Sequence, residues 1–221
     1  MRISLKHWLR LRRDPWRIVF YDNFKRWKRD KMEPKRMQFE GLSSSSVVFD
    51  VGGFEGNWAQ DVFDRYGATL HVFEPHPDFA AALNTRFAAN DAITVHDFAL
   101  GSAEGTLSLS DDGDASSAFV ADGTGKTGRV ADVGAFLDDF APERIHLMKV
   151  NIEGGEYDLL PALAASGHLH RIDVLQVQFH LYGEEFIAKR DAIIEELKKT
   201  HCPAWTYPFV WEEWHRLPSE R

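Results

Sequence analysis

Lys149, Asn151 and Glu153 alternate along one apolar segment, residues 145–152 running into Glu153-Gly154-Gly155-Glu156, and Gln176, Gln178 and His180 alternate along another, residues 172–181. Side chains two apart on a strand share a face, so each segment carries a polar column where a strand buried on both faces would be apolar throughout. As neighbouring strands, the two segments would line one side of a sheet with six polar groups near its carboxyl end, where open α/β sheets bind ligands. The columns end in Glu153 and His180, two groups capable of acid–base chemistry. A buried hydrogen-bond network with a purely structural role would use the same residue types.

A second chemistry-bearing stretch organises the chain around itself: Val47-Val48-Phe49-Asp50-Val51-Gly52-Gly53-Phe54-Glu55-Gly56. An apolar run ending in an acid and two glycines, then a third glycine before a helix-compatible segment, reads as strand, turn and helix, the opening unit of a nucleotide-binding α/β fold. Gly52 and Gly53 allow the backbone to turn and approach a ligand, and Gly56 allows the helix start to pack closely. The spacing G-G-x-x-G is not the dinucleotide G-x-G-x-x-G, and Asp50 would repel a pyrophosphate at a helix N-terminus. A carboxylate there suits the cationic sulfonium and ammonium of S-adenosylmethionine. NAD remains the alternative, because Glu74, about twenty residues past the turn at the end of the next strand (69–73), would accept hydrogen bonds from the ribose hydroxyls of either cofactor.

The positioning elements follow in order. A helix over 57–66 ends at Gly67, Pro77 opens a helix over 78–89, and residues 93–100 form a third strand whose Asp97-Phe98 pair could receive an adenine ring. Gly105–Leu109 reads as part of a hairpin, and 111–129 as a long polar loop or lid. A short helix over 131–140, the two polar-columned strands, a charged helix over 184–200 and an antiparallel edge hairpin within 202–217 complete the pattern.

The 221 residues predict one core with an appendage. Residues 1–40 hold thirteen of the 26 Lys and Arg and five of the 34 acids, so they carry +8 and the remainder −16. The boundary is drawn as a basic amphipathic extension over 1–42 and a catalytic domain over 43–221. The extension could pack on the acidic body, join two subunits or lie on an anionic membrane; nucleic acid is disfavoured, since the body repels phosphate. One cysteine, Cys202, rules out an internal disulfide, and the N-terminus has no secretory pattern. A cytoplasmic protein is expected.

Four blocks, VVFDVGGFEG, VFEPHP with its helix, VHDFALGSAEGTLSL and MKVNIEGGEYDLL, together with VGAFLDDF, resemble the FkbM family of S-adenosylmethionine-dependent methyltransferases over roughly residues 47–181. The resemblance implies a Rossmann-like class I fold, a seven-stranded and mostly parallel sheet with an antiparallel edge strand, and O-methylation of a sugar, glycan or polyketide-type hydroxyl. With that reaction, Asp50, Gly52 and Gly53 are expected at the amino-acid end of the cofactor, Glu74 at the ribose, Asp97 and Phe98 at the adenine, His180 or else Glu153 as the base, and Glu156 at the substrate. Lys149 is expected to pair with a carboxylate. A divalent metal on Glu153, Glu156 and His180 is not favoured, because their spacing matches no ligand signature. The family usually has Asn at the position of Phe54 and Asp at that of Asn151, which puts one cofactor contact and one carboxylate in doubt and keeps a second alternative beside NAD, a non-catalytic module whose basic arm docks a partner or membrane.

Overall fold

The computed structural model describes residues 12–109 and 126–218. Its strands are β1 (Val47–Val51), β2 (Thr69–Phe73), β3 (Ile93–His96), β4 (Phe98–Gly101), β5 (Gly105–Leu109), β6 (Lys126–Asp132), β7 (Leu147–Val150), β8 (Val174–Val177), β9 (His201–Tyr207) and β10 (Trp211–Arg216). Its helices are α1 (Ile18–Arg29), α2 (Met32–Lys35), α3 (Asn57–Tyr66), α4 (Pro77–Phe87), α5 (Val133–Asp139), α6 (Glu156–Ala165) and α7 (Glu185–Leu197). Seven strands pair in the order β3-β2-β1-β7-β8-β10-β9, with β10 antiparallel to both neighbours. The sheet is mostly parallel and Rossmann-like, with helices on both faces.

The alternation of β1 sorts the core. Phe49 and Val51 join the cluster under α5, α6 and α7, whereas Val48 faces Val62, Leu83 and Phe87 of α3 and α4. Gly56 caps α3 in the left-handed conformation, where a β-carbon would meet Leu83 at 2.6 Å and Phe87 at 2.9 Å, as expected for a close-packed helix start. The face shared by Val48 also carries Asp50, aligned in register with Lys149, then Gln176, then Glu213 across four adjacent strands. The lower half of the two polar columns is therefore a buried network inside the sheet, while their upper ends leave it.

Two expectations from sequence are corrected. The strand read over 93–100 breaks at Asp97: β3 forms the edge of the large sheet, and β4 leaves it to pair with β6 in a second, three-stranded sheet ordered β4-β6-β5. Gly105–Leu109 pairs with Lys126–Asp132, so 126–129, read as polar loop, are strand. An alternating apolar run is equally consistent with one strand or with two that change sheets, and only the partner decides. The remainder of the proposed lid, 111–125, lies outside the described residues.

The extension folds back. Trp27, 2% exposed, meets Tyr207 at a ring distance of 5.3 Å and Trp205 at 5.7 Å, and Met32, Val210 and Trp211 complete that cluster on the edge hairpin. The carbonyl of Arg36 accepts from Gln176 Nε2 at 2.9 Å, and Asp30 accepts from the Tyr207 hydroxyl at 2.8 Å. No helix among the described residues is long and apolar enough to cross a membrane.

Candidate functional site

At the carboxyl ends of β1, β2 and β7 lies a cavity of about 340 Å³. Its walls include Gly52, Phe54, Glu74, Asn151 and Glu153, the apolar side chains of Pro75 and Phe79, and Leu107, Leu109 and Val130 of the small sheet. Gly52 takes φ +90°, and a β-carbon there would sit 2.1 Å from the carbonyl oxygen of Asn151, so no other residue leaves this floor intact. Phe54 holds φ +48°, a conformation that a bulky side chain adopts at a cost and that asparagine tolerates better. Its backbone N–H donates to Glu74 Oε2 at 2.8 Å, and the N–H of His76 donates to Oε1 at 2.9 Å. Glu74 is thus oriented by the turn it faces, and burial pushes its pKa up against those two hydrogen bonds.

The cavity fits S-adenosylmethionine in chemical type. The oriented carboxylate suits vicinal ribose hydroxyls, the wall of Pro75, Phe79, Leu107 and Leu109 suits a purine face, and Asn151 Oδ1 is buried without a hydrogen-bond partner, an acceptor available to an ammonium.

Several residues expected at the cofactor stand elsewhere. Asp50 is fully buried beneath the floor, where Lys149 Nζ donates to its Oδ1 at 2.7 Å and to the carbonyl of Gly52 at 2.7 Å. Burial raises the Asp50 pKa and the Lys149 charge opposes the rise. A carboxylate neutralised in this way supports the turn and does not border the cavity. A β-carbon on Gly53 would strike Val72 at 2.3 Å, so that glycine serves packing between the turn and β2. The Asp97 side chain is 69% exposed with Arg129 3.9 Å away, and Phe98 packs on Phe73, His96 and Phe136; neither lines the cavity. The following residues, Ala99, Leu100 and Gly101, do. The change of sheet at Asp97 moves the site two residues along. Sequence reasoning also missed Phe79 and the small-sheet leucines; the alternation Leu107, Leu109 was the available signal.

The column ends converge as anticipated, in a different arrangement. Both ring nitrogens of His180 face carboxylates, Nε2 at 3.1 Å from Glu153 Oε1 and Nδ1 at 3.1 Å from Glu156 Oε1. Glu156, expected at the substrate, is instead wholly buried and also accepts from the N–H groups of His180 at 2.7 Å and Gly154 at 2.8 Å. Glu153 stands at φ +48° at the mouth, 31% exposed, and accepts from the Tyr182 hydroxyl at 3.1 Å. The buried ring is desolvated, but the two carboxylates outweigh that cost and raise the His180 pKa to about 9, while the Glu153 pKa is lowered despite its own desolvation. At neutral pH the imidazole already carries its second proton, so Glu153 is the group left to accept one. Among the described residues no cluster of three or more His, Cys, Asp or Glu side chains is arranged to hold a metal ion.

The imidazolium contributes stability that is complete below the unfolded value near 6.5 and is lost as pH rises through about 9. Denaturant titrations from pH 7 to 10 are therefore expected to show a fall in stability that His180→Gln reduces.

A second cavity, of about 400 Å³, shares Glu153 with the first as a lining residue; Gln178, His180 and Phe209 border it, as do Arg17, Phe20 and Tyr21 from the first helical segment.

The fold is similar to that of a methyltransferase FkbM from Methylobacillus flagellatus KT, 15% identical with a TM-score of 0.53 over 80% of this chain and 44% of that one. This chain thus spans less than half the length of that relative. It is also similar to a candidate rRNA methylase from Clostridium thermocellum, 10% identical with a TM-score of 0.53 over 81% of this chain and 90% of the other. At such identities the likeness carries the fold alone. Comparison with curated proteins gives no match. The sequence profile of the methyltransferase FkbM domain matches residues 50–209, well over half of the chain, and the protein therefore belongs to the FkbM family of S-adenosylmethionine-dependent methyltransferases.

Proposed function

We propose that the protein methylates a hydroxyl of a sugar, glycan or polyketide-type small molecule. The observation that carries this reading is the position of Glu153, the residue common to a cofactor-sized cavity and a second, acceptor-sized one. When bound, S-adenosylmethionine supplies an electrophilic methyl group. Glu74 would hold the ribose hydroxyls, Gly52 and Asn151 the amino-acid end, and Phe79 with Leu109 the adenine. Asp50 supports the floor through Lys149. Glu153 accepts the acceptor's hydroxyl proton as the oxygen becomes nucleophilic, His180 holds Glu153 in place through its own proton, and Glu156 fixes the ring of His180. Holding both reactants at one carboxylate supplies the proximity that such a displacement requires.

Calorimetric titration with S-adenosylmethionine and, separately, NAD tests the cofactor half. Binding of S-adenosylmethionine alone is expected, weakened about 10- to 100-fold in Glu74→Gln, the range of a lost hydrogen bond to a charged group. Binding of NAD in its place, or of neither, would overturn it. Release of S-adenosylhomocysteine in the presence of hydroxylated acceptors, with the methyl group located on oxygen by mass spectrometry, tests the acceptor half.

A further inference from the structure

We infer that the N-terminal helix is the acceptor-recognition element of the enzyme, and that the cavity it closes takes a polyhydroxylated sugar. This rests on the methyl-transfer reading for the identity of the neighbouring cofactor cavity and goes beyond it in assigning the ligand and the element that selects it.

The second cavity has two sides of different origin. Its floor is Glu153, Gln178 and His180, contributed by the loops after β7 and β8, and its outer side is Arg17, Phe20 and Tyr21. Without the extension the floor would lie open at the carboxyl ends of β7 and β8. The wall is held by Trp27 two turns further along α1, locked between Trp205 and Tyr207, so α1 is placed by the edge hairpin rather than by the cavity it borders.

The composition of the lining selects the ligand. Phe20, Tyr21 and Phe209 present aromatic surface, against which the C–H faces of a pyranose pack, and Gln178, Glu153 and Arg17 can pair with ring hydroxyls. Glu153 is already held by His180 and Tyr182, and Arg17 by Asp14, so ring hydroxyls would join existing hydrogen bonds there, whereas a wholly apolar ligand would desolvate the Gln178 amide without pairing it, at about 1–3 kcal/mol. A phosphate-rich ligand would meet Glu153 and the acidic body. At about 400 Å³ the space is comparable with the cofactor cavity of about 340 Å³, room for a sugar ring together with the group it is linked to.

Backbone strain points to the same place. Of the four described non-glycine residues with positive φ, Glu153 at 48° and Phe209 at 63° both line this cavity. Such conformations cost about 1–3 kcal/mol each and gather at ligand sites.

The test uses the full chain saturated with S-adenosylhomocysteine and saturation-transfer NMR with methyl α-glucoside, methyl α-rhamnoside and, as an apolar control, cyclohexanol. Transfer to at least one glycoside and not to cyclohexanol is expected, and it should fall at least fivefold in Phe20→Ala and in Tyr21→Ala. In both variants the calorimetric affinity for S-adenosylmethionine should stay within twofold of wild type, which also reports that the domain is folded. Arg17→Ala, a change at a half-buried site away from the Trp27 anchor, gives a third reading should either aromatic variant misfold. Glycoside transfer undiminished by these changes, transfer to cyclohexanol alone, or no transfer at all while the cofactor binds normally would overturn the inference. Failure to bind S-adenosylmethionine would instead remove the methyl-transfer reading, an outcome the same calorimetry separates.

Discussion

Replacing Glu153 by glutamine is expected to lower methyl transfer about 10²- to 10⁴-fold, the range for loss of a positioned general base, while the affinity for S-adenosylmethionine changes by less than about threefold, the scale of a lost surface contact. The readout is release of S-adenosylhomocysteine with an acceptor that supports wild-type turnover, alongside calorimetry. Glutamine keeps the size of the side chain and its capacity to accept from Tyr182, so only the basic oxygen is lost. The pH profile then separates Glu153 from His180. With Glu153 as the base, wild-type kcat is level across neutral pH, where its lowered pKa leaves it ionised, and falls above about 9 as His180 gives up the proton that anchors it. With His180 as the base, kcat would instead climb tenfold per pH unit up to about 9. That second profile, or an active Glu153→Gln, would sink the assignment.

Lys149→Ala is expected to cost about 3–5 kcal/mol of folding stability in denaturant titrations, the penalty for stranding a buried charge. Lys149 is 5% exposed and Asp50 fully buried, Lys149 bonds Asp50 Oδ1, and Oδ2 has no hydrogen-bond partner. Alanine would leave the buried carboxylate without its counter-ion and the carbonyl of Gly52 without its donor. A double variant, Asp50→Leu with Lys149→Met, should recover most of the loss, because an apolar pair of similar volume pays no desolvation. If Lys149→Ala alone is neutral, the pair is not the support of the turn. If the double variant is stable yet fails to bind S-adenosylmethionine, the pair positions the floor of the cofactor cavity in addition to holding it up.

The departures at the site have related causes. Asp50 reads as a ligand group because a carboxylate beside the glycine turn suits the cationic groups of S-adenosylmethionine; the residue that turns it into a structural group, Lys149, lies 99 positions away. Glu156 and His180 were both legible as acid–base groups, but their roles follow from which carboxylate is buried and which is at the mouth. Asp97 and Phe98 missed the cavity by two residues because the chain changes sheets there. Phe54, flagged as a departure from the usual asparagine, stands in the left-handed conformation that asparagine accepts more readily, so the position is kept by backbone geometry even though the side chain has changed.

By itself the sequence determined the opening strand–turn–helix, the acid at the end of β2, the antiparallel edge hairpin and the convergence of Glu153 with His180. Those follow from local rules: a period of two fixes which side chains share a face, glycine fixes where the backbone can turn, and a break in the alternation of strand and helix marks an antiparallel return. Only the tertiary structure decided that the extension walls a cavity, that the small sheet closes another, and that His180 holds its proton. Each of those depends on partners distant in sequence and on how completely water is excluded between them, and burial of that kind is a property of the packed chain rather than of any stretch of it.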